Sequence, residues 1–182
     1  GKAVSLYRAA AEGGSVLGIC CLACAFERGL SGGVERGRAA ELYAKVAEQL
    51  QELVEEAEGG DVMAQFHLGR MYNLGRGVVM KDLGKAAELY RKAADQGFAS
   101  GQRNLGLVYE YGEGVEKDLV KAAELYRQAA DQDNADAQNN LGRMYELGKG
   151  VVKDVVKAAE LYGKAADQGN ADAQNNLGQM YE

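Results

Sequence analysis

The sequence predicts an all-α fold, a right-handed superhelical α-solenoid of stacked antiparallel helix pairs. Three observations lead there. A phrase recurs at a fixed period: Lys85–Ala86–Ala87–Glu88–Leu89–Tyr90 returns from Lys121 to Tyr126 and from Lys157 to Tyr162, each 36 residues on. Arg38 to Tyr43 is a fourth copy, and Lys2 to Tyr7 is a worn fifth. A period of this size marks small units that each bury an apolar face only on their neighbours. Within each unit the apolar residues fall at helical spacing. Lastly, the 182 residues include no proline and 25 glycines, so glycine punctuates and the helix interiors lack the strongest breaker.

The first helix of the unit reads most clearly over 135–147. Ala137, Leu141, Met144 and Tyr145 fall at i, i+4, i+7 and i+8, one face of a helix. Gly142 sits beside that face and recurs as Gly69, Gly106 and Gly178, with Ala23 in the second unit. A glycine inside a helix costs about 1 kcal/mol against alanine, so its recurrence predicts close approach of a neighbouring helix. Gly75, Gly112 and Gly148 stand where a left-handed residue would end this helix. Asp82, Asp118 and Asp154 stand where an N-cap would start the next. Between them, Val78, Val115 and Val151 are expected to plug the gap between the two helices. In the second helix, Ala86, Leu89, Tyr90 and Ala93 share the inward face, and Lys85, Glu88, Arg91 and Lys92 take the other. Gly97 and Gly169 end that helix; Asp133 replaces the glycine once, which predicts a strained or differently closed turn.

The units divide into a lone second helix at 2–12, pairs at 15–58, 61–96, 99–132 and 135–168, and a lone first helix at 171–182, all in one array. The sequence starts at Gly1 inside a repeat and stops at Glu182 in mid-unit, so it reads as a fragment of a longer chain. Two half-units with unpartnered apolar faces offer a route to homo-oligomers or to a larger hetero-complex.

The period breaks twice. Tyr43 to Gly60 spans 17 residues where Tyr90 to Gly97 spans 7, an insertion of ten. Residues 38–58 have no glycine and are rich in good helix formers, so the second helix should simply run on by about 15 Å. Val46, Leu50, Leu53, Val54 and Ala57 form an apolar stripe among Glu48, Glu52, Glu55, Glu56 and Glu58. Either the stripe folds down on the array's own next helix, or Leu50, Leu53, Val54 and Ala57 make a docking ridge for a partner. The second break is Met80, one extra residue of loop slack.

Net charge is −6, which argues against a nucleic-acid partner, since phosphate binding needs a basic stripe. No run approaches the roughly 18 apolar residues of a membrane span, so direct membrane insertion is not expected. No targeting signal is visible; the compartment stays open, with a reduced one slightly favoured. Cys20, Cys21 and Cys24 cluster in one helix-length stretch. A structural zinc needs about four ligands, and no second cysteine pair accompanies them, so small buried side chains are the plainer reading. His67, the only histidine, replaces Asn104, Asn140 and Asn176 at one repeat position and reads as a surface or groove residue. Nine of ten tyrosines fall on the period as core; only Tyr111 is off it. No catalytic constellation, cofactor site or metal site emerges.

The recurring residues resemble the Sel-one-like repeat family, short-helix relatives of tetratricopeptide repeats. The match is Ala-x-Ala-Gln-x-x-Leu-Gly-x-Met-Tyr-x-x-Gly, then Gly-Val-x-Lys-Asp, then Lys-Ala-x-x-x-Tyr-x-x-Ala-Ala-x-x-Gly. It is close over 61–182 and looser over 1–36. The family's usual loop proline is replaced here by Val79, Glu116 and Val152. The resemblance implies a protein-binding role: a non-catalytic scaffold or adaptor within a multi-protein complex, with protein or peptide partners. The alternatives are an architectural subunit fixed in a large assembly, membrane-associated or not, and a β-lactam-binding or hydrolysing enzyme as among cysteine-rich relatives.

In relatives the first helices line the concave side. With Leu141 turned to the core, Asp136, Asn139, Arg143 and Glu146 should face that groove. Their equivalents are Phe66, Arg70 and Asn73 in the third unit, Arg103, Leu107 and Glu110 in the fourth, and Cys20, Cys24 and Glu27 in the second. Core positions are nearly constant between units while these change. An uneven groove suits reading one peptide or protein surface; unconstrained surface drift would leave the same pattern.

Overall fold

The computed structural model describes residues 5, 8, 12, 22, 26, 36–75 and 80–180, with a few side chains of 36–46 excepted. The described residues contain helices and no strand. They fall into two compact units, Gly1–Asp82 and Leu83–Glu182.

In the first unit, α1 spans Arg36–Glu58 and α2 spans Val62–Leu74. At 23 residues α1 is a single unbroken helix, as the ten-residue insertion predicted, against 13 for α2. The two are joined by Gly59, Gly60 and Asp61. Gly60 takes φ 96°, which a residue with a Cβ resists. Asp61 caps α2, its carboxylate accepting from the Ala64 N–H at 2.7 Å. Ala57, Ala64 and Leu68 are buried where α1 and α2 pack. Leu22 and Phe26 are helical and buried as well.

The second unit holds α3 (Leu83–Asp95), α4 (Ala99–Tyr111), α5 (Leu119–Ala130), α6 (Ala135–Leu147), α7 (Val155–Asp167) and α8 (Ala171–Met180). Each helix packs on the next, so α4–α5 and α6–α7 are repeat pairs. The buried layer is the phrase itself: Ala86, Tyr90 and Ala93, then Ala122, Tyr126 and Ala129, then Ala158, Tyr162 and Ala165. Facing it from the first helices are Leu105 and Tyr109, then Ala137, Leu141, Met144 and Tyr145.

The ends of the helices follow the expected punctuation. Gly75, Gly112 and Gly148 are left-handed at φ 58°, 73° and 65°. Asp118 and Asp154 accept from the N–H groups of Lys121 and Lys157 at 2.9 and 3.0 Å. Asp133 takes the left-handed place of Gly97 and Gly169, at φ 59°, and the Asn134 N–H still closes on the Ala129 carbonyl at 3.2 Å. Met80 is 86% exposed, as loop slack should be. Cys20, Cys21, Cys24, Glu27, Val78, Tyr7 and Tyr181, with the side chains of Tyr43 and Val46, lie outside the described residues.

Candidate protein-binding surface

Two repeated devices hold the first helices in register. In α4 and α6 the middle glycine lets the next helix's tyrosine lie flat. A Cβ on Gly106 would stand 2.6 Å from the Tyr126 ring, and one on Gly142 would stand 2.8 Å from Tyr162. A buried glutamine near the start of α2, α4 and α6 donates backwards across the turn. Gln65 reaches the Ala57 carbonyl at 3.0 Å, and Gln138 reaches that of Ala130 at 3.3 Å. Each adds a second donor to an end-of-helix carbonyl that already accepts a turn N–H, Gly60 on Ala57 and Asp133 on Ala130. The loops add a third contact: a Cβ on Gly114 would run into the Leu83 carbonyl, and one on Gly150 into that of Leu119. Those loops therefore rest directly on the start of the preceding repeat's second helix.

With α4, α6 and α8 so placed, their outward residues meet across the gaps between them. Arg143 Nη2 of α6 donates to Glu110 Oε1 of α4 at 2.9 Å, and the Tyr126 hydroxyl donates to Glu110 Oε2 at 2.7 Å. Burial first, then Glu110, push the Tyr126 hydroxyl far above the usual tyrosine range. Arg143 is pulled down by burial and, more strongly, held up by Glu110 and Tyr111, so its charge is secure. Asn176 of α8 donates to Asn139 of α6 at 2.9 Å. Asn170 donates to Asp136 at 2.9 Å, and Arg103 Nη2 stands 3.8 Å from the same carboxylate. Arg103 Nη1 donates to Asn104 at 2.9 Å.

Of the groove residues expected in this unit, Arg103, Leu107, Arg143 and Glu146 are half-buried and reachable from solvent. Glu110 and Asn139 are corrected: only 7% and 8% exposed, they are turned into the seams between neighbouring first helices. Rotating one helix about its axis cannot reveal this, because the covering groups come from the next repeat. In the first unit, Phe66 and Asn73 are half-buried and Arg70 is exposed, its guanidinium 5.8 Å from the Phe66 ring centre. His67 is exposed beside Phe66. On α1, Leu50, Leu53 and Val54 are half-buried, while Ala57 is 2% exposed and belongs to the packing against α2.

The other side of the second unit repeats as well. Arg91 donates to the Tyr109 hydroxyl at 3.0 Å and Arg127 to that of Tyr145 at 3.2 Å. Lys121 and Lys157 sit 4.6 and 4.7 Å from the same two ring centres. Burial would raise these hydroxyls, but the paired cations outweigh it and lower both. An open cleft of about 810 Å³ beside Tyr109 is lined by Val115, Lys117, Leu119 and Lys121. Tyrosine, arginine and lysine here bind one another across helices; they assemble no nucleophile with a base.

A family model described as the Sel1 repeat matches residues 1–15, 19–49, 62–98, 99–134, 135–170 and 171–182. Among solved structures, a protective antigen of uropathogenic Escherichia coli displaying an SLR fold is 33% identical with a TM-score of 0.64. The match covers 98% of this chain but only 36% of that one, so the chain spans about a third of its length. A Sel1 repeat protein from Oxalobacter formigenes is 41% identical, with a TM-score of 0.65 over 72% of this chain and 98% of its own. Cysteine rich protein B of Helicobacter pylori is 29% identical, with a TM-score of 0.57 over 74% and 96%. No curated protein matches the sequence.

Proposed function

The chain belongs to the Sel1 repeat family, whose members generally serve as protein-interaction scaffolds, and from that premise we propose that it is a non-catalytic adaptor within a multi-protein complex. The observation that carries the reading is a contrast within the repeat. The buried alanines and tyrosines are the same from unit to unit, while the reachable first-helix positions differ. Arg70, Leu107 and Arg143 share one position, and Phe66 and Arg103 share another, which the seam residue Asn139 fills in the next repeat. Identical packing beneath varied chemistry provides a surface that discriminates along its length. In the second unit Leu107 supplies an apolar anchor with Arg103, Arg143 and Glu146 supplying charge, and in the first unit Phe66 and Arg70 supply the same pair of chemistries by themselves. Asn73, Glu110 and Asn139 support this surface, and the half-buried Leu50, Leu53 and Val54 of α1 are a second candidate ridge.

The test is capture by the tagged chain, read by mass spectrometry, with circular dichroism confirming that each variant is folded. Arg103→Ala with Leu107→Ala should lose a defined set of proteins that the parent chain retains. Leu50→Glu with Leu53→Glu asks the same of the ridge. If no captured protein depends on either pair, the adaptor reading fails.

A further inference from the structure

We propose that Glu146 and Tyr162 form a receptor for an arginine side chain of a bound partner. The biological identity of that partner rests on the adaptor reading, but the receptor itself does not.

The chain contains the template. In the preceding repeat, Glu110 accepts from the Tyr126 hydroxyl on Oε2 and from the Arg143 guanidinium on Oε1, at 2.7 and 2.9 Å. One repeat on, the Tyr162 hydroxyl donates to Glu146 Oε2 at the same 2.7 Å, and Tyr162 is as fully buried as Tyr126. The carboxylate is thus fixed in the same pose by the same group. The arginine is what changes. Its position on α8, 36 residues after Arg143, is held by Gln179, which is exposed and carries no charge.

The remaining outward residues of α8, Asp172 and Asn175, also bring no cation. Arg143 and Lys149 each stand three residues from Glu146 in sequence; Arg143 gives its Nη2 hydrogen bond to Glu110, and Lys149 makes no ion pair with Glu146. Glu146 Oε1 therefore faces the groove as the counterpart of an oxygen that elsewhere in this molecule binds a guanidinium. Glu146 is less buried than Glu110, which leaves its carboxylate reachable from solvent. A planar guanidinium fits better than an ammonium, since it can place one N–H on Glu146 while others reach the side-chain oxygens of Asn175 or Gln179.

The experiment titrates the whole ¹³C-labelled chain with N-acetyl-arginine methylamide and follows the Glu146 carboxyl carbon by NMR. A saturable shift is expected, weakened about tenfold or more with the citrulline analogue, which keeps the shape and lacks the charge. The same titration read on the Gln179 side-chain amide should show a saturable shift in the parent chain that Glu146→Gln abolishes. Gln179→Arg, which supplies the cation internally without disturbing the carboxylate, should abolish the carboxyl shift and raise Tm. No saturable shift, an equal shift with citrulline, or an undiminished shift in Gln179→Arg would overturn the receptor. None of those results bears on the adaptor reading, which the capture experiment judges separately.

Discussion

Gly106 and Gly142 keep their places because an aromatic ring lies where a side chain would be. Gly142→Ala forces its methyl against the buried Tyr162 ring and is expected to cost about 1–3 kcal/mol. Gly163 is also inside a helix, but a Cβ there meets nothing within 4 Å. Gly163→Ala should therefore stabilise by about 1 kcal/mol, and urea denaturation of the two variants separates the cases. The recurrence of the glycine was legible in the sequence and announced the close approach found at Gly106 and Gly142, but a Cβ on the recurring Gly178 meets nothing within 4 Å; Gly163, which does not recur, carried no such signal. Arg103 and Asn140 make a second residue-scale case. Arg103 Nε and Asn140 Nδ2 are buried donors without a hydrogen-bond partner. In the next repeat the equivalent positions are Asn139 and Asn176, which bond to each other. Arg103→Asn rebuilds that pair and should raise stability by about 1 kcal/mol, visible as a higher Tm.

Tyr126 and Tyr162, which end two copies of the phrase, bind helix to helix through the ring and then through the hydroxyl. Sequence periodicity identified the ring as core but said nothing of the hydroxyl, whose acceptor stands sixteen residues earlier on a face read as outward. The glutamine bridges were missed for a related reason: Gln138 is polar by type, and only the turn geometry shows that a carbonyl awaits it. Titration distinguishes the two tyrosine classes. Tyr126 and Tyr162 are raised by burial first and then by Glu110 and Glu146. Their contribution to stability is whole below the unfolded value of about 10 and declines above it, by about 1.4 kcal/mol per pH unit for each. Tyr109 and Tyr145 are lowered, so their contribution grows as pH rises through their folded values and is complete above the usual one. Tyrosinate absorbance should therefore rise first from Tyr109 and Tyr145, and from Tyr126 and Tyr162 only as the chain unfolds. Tyr126→Phe should remove one alkaline liability while costing about 1–2 kcal/mol at neutral pH.

At the scale of the molecule, stability within the second unit is a chain of neighbour contacts, each helix resting on those beside it. Residues 83–182 contain three first helices and three second helices with their seams intact. Expressed alone, that segment should keep its helical circular dichroism and melt cooperatively; loss of helicity would show that the unit depends on the rest of the chain. The helix pairs and their caps were readable because each is encoded locally and repeated, and the long α1 because its inserted residues are helix formers that keep the apolar spacing. The surface was only half readable, because Glu110 and Asn139 are covered by residues a full repeat away.

The glutamine bonds that cross from one repeat to the one before join equivalent places, Gln102 to the Ala94 carbonyl, Gln138 to that of Ala130 and Gln174 to that of Ala166, eight residues apart in each case. A genetic slip that copied or removed one whole period would therefore hand every such donor an acceptor of the same kind. Such an array can lengthen or shorten by recombination without passing through an unfoldable ancestor, and each new copy is then free to acquire its own outward residues.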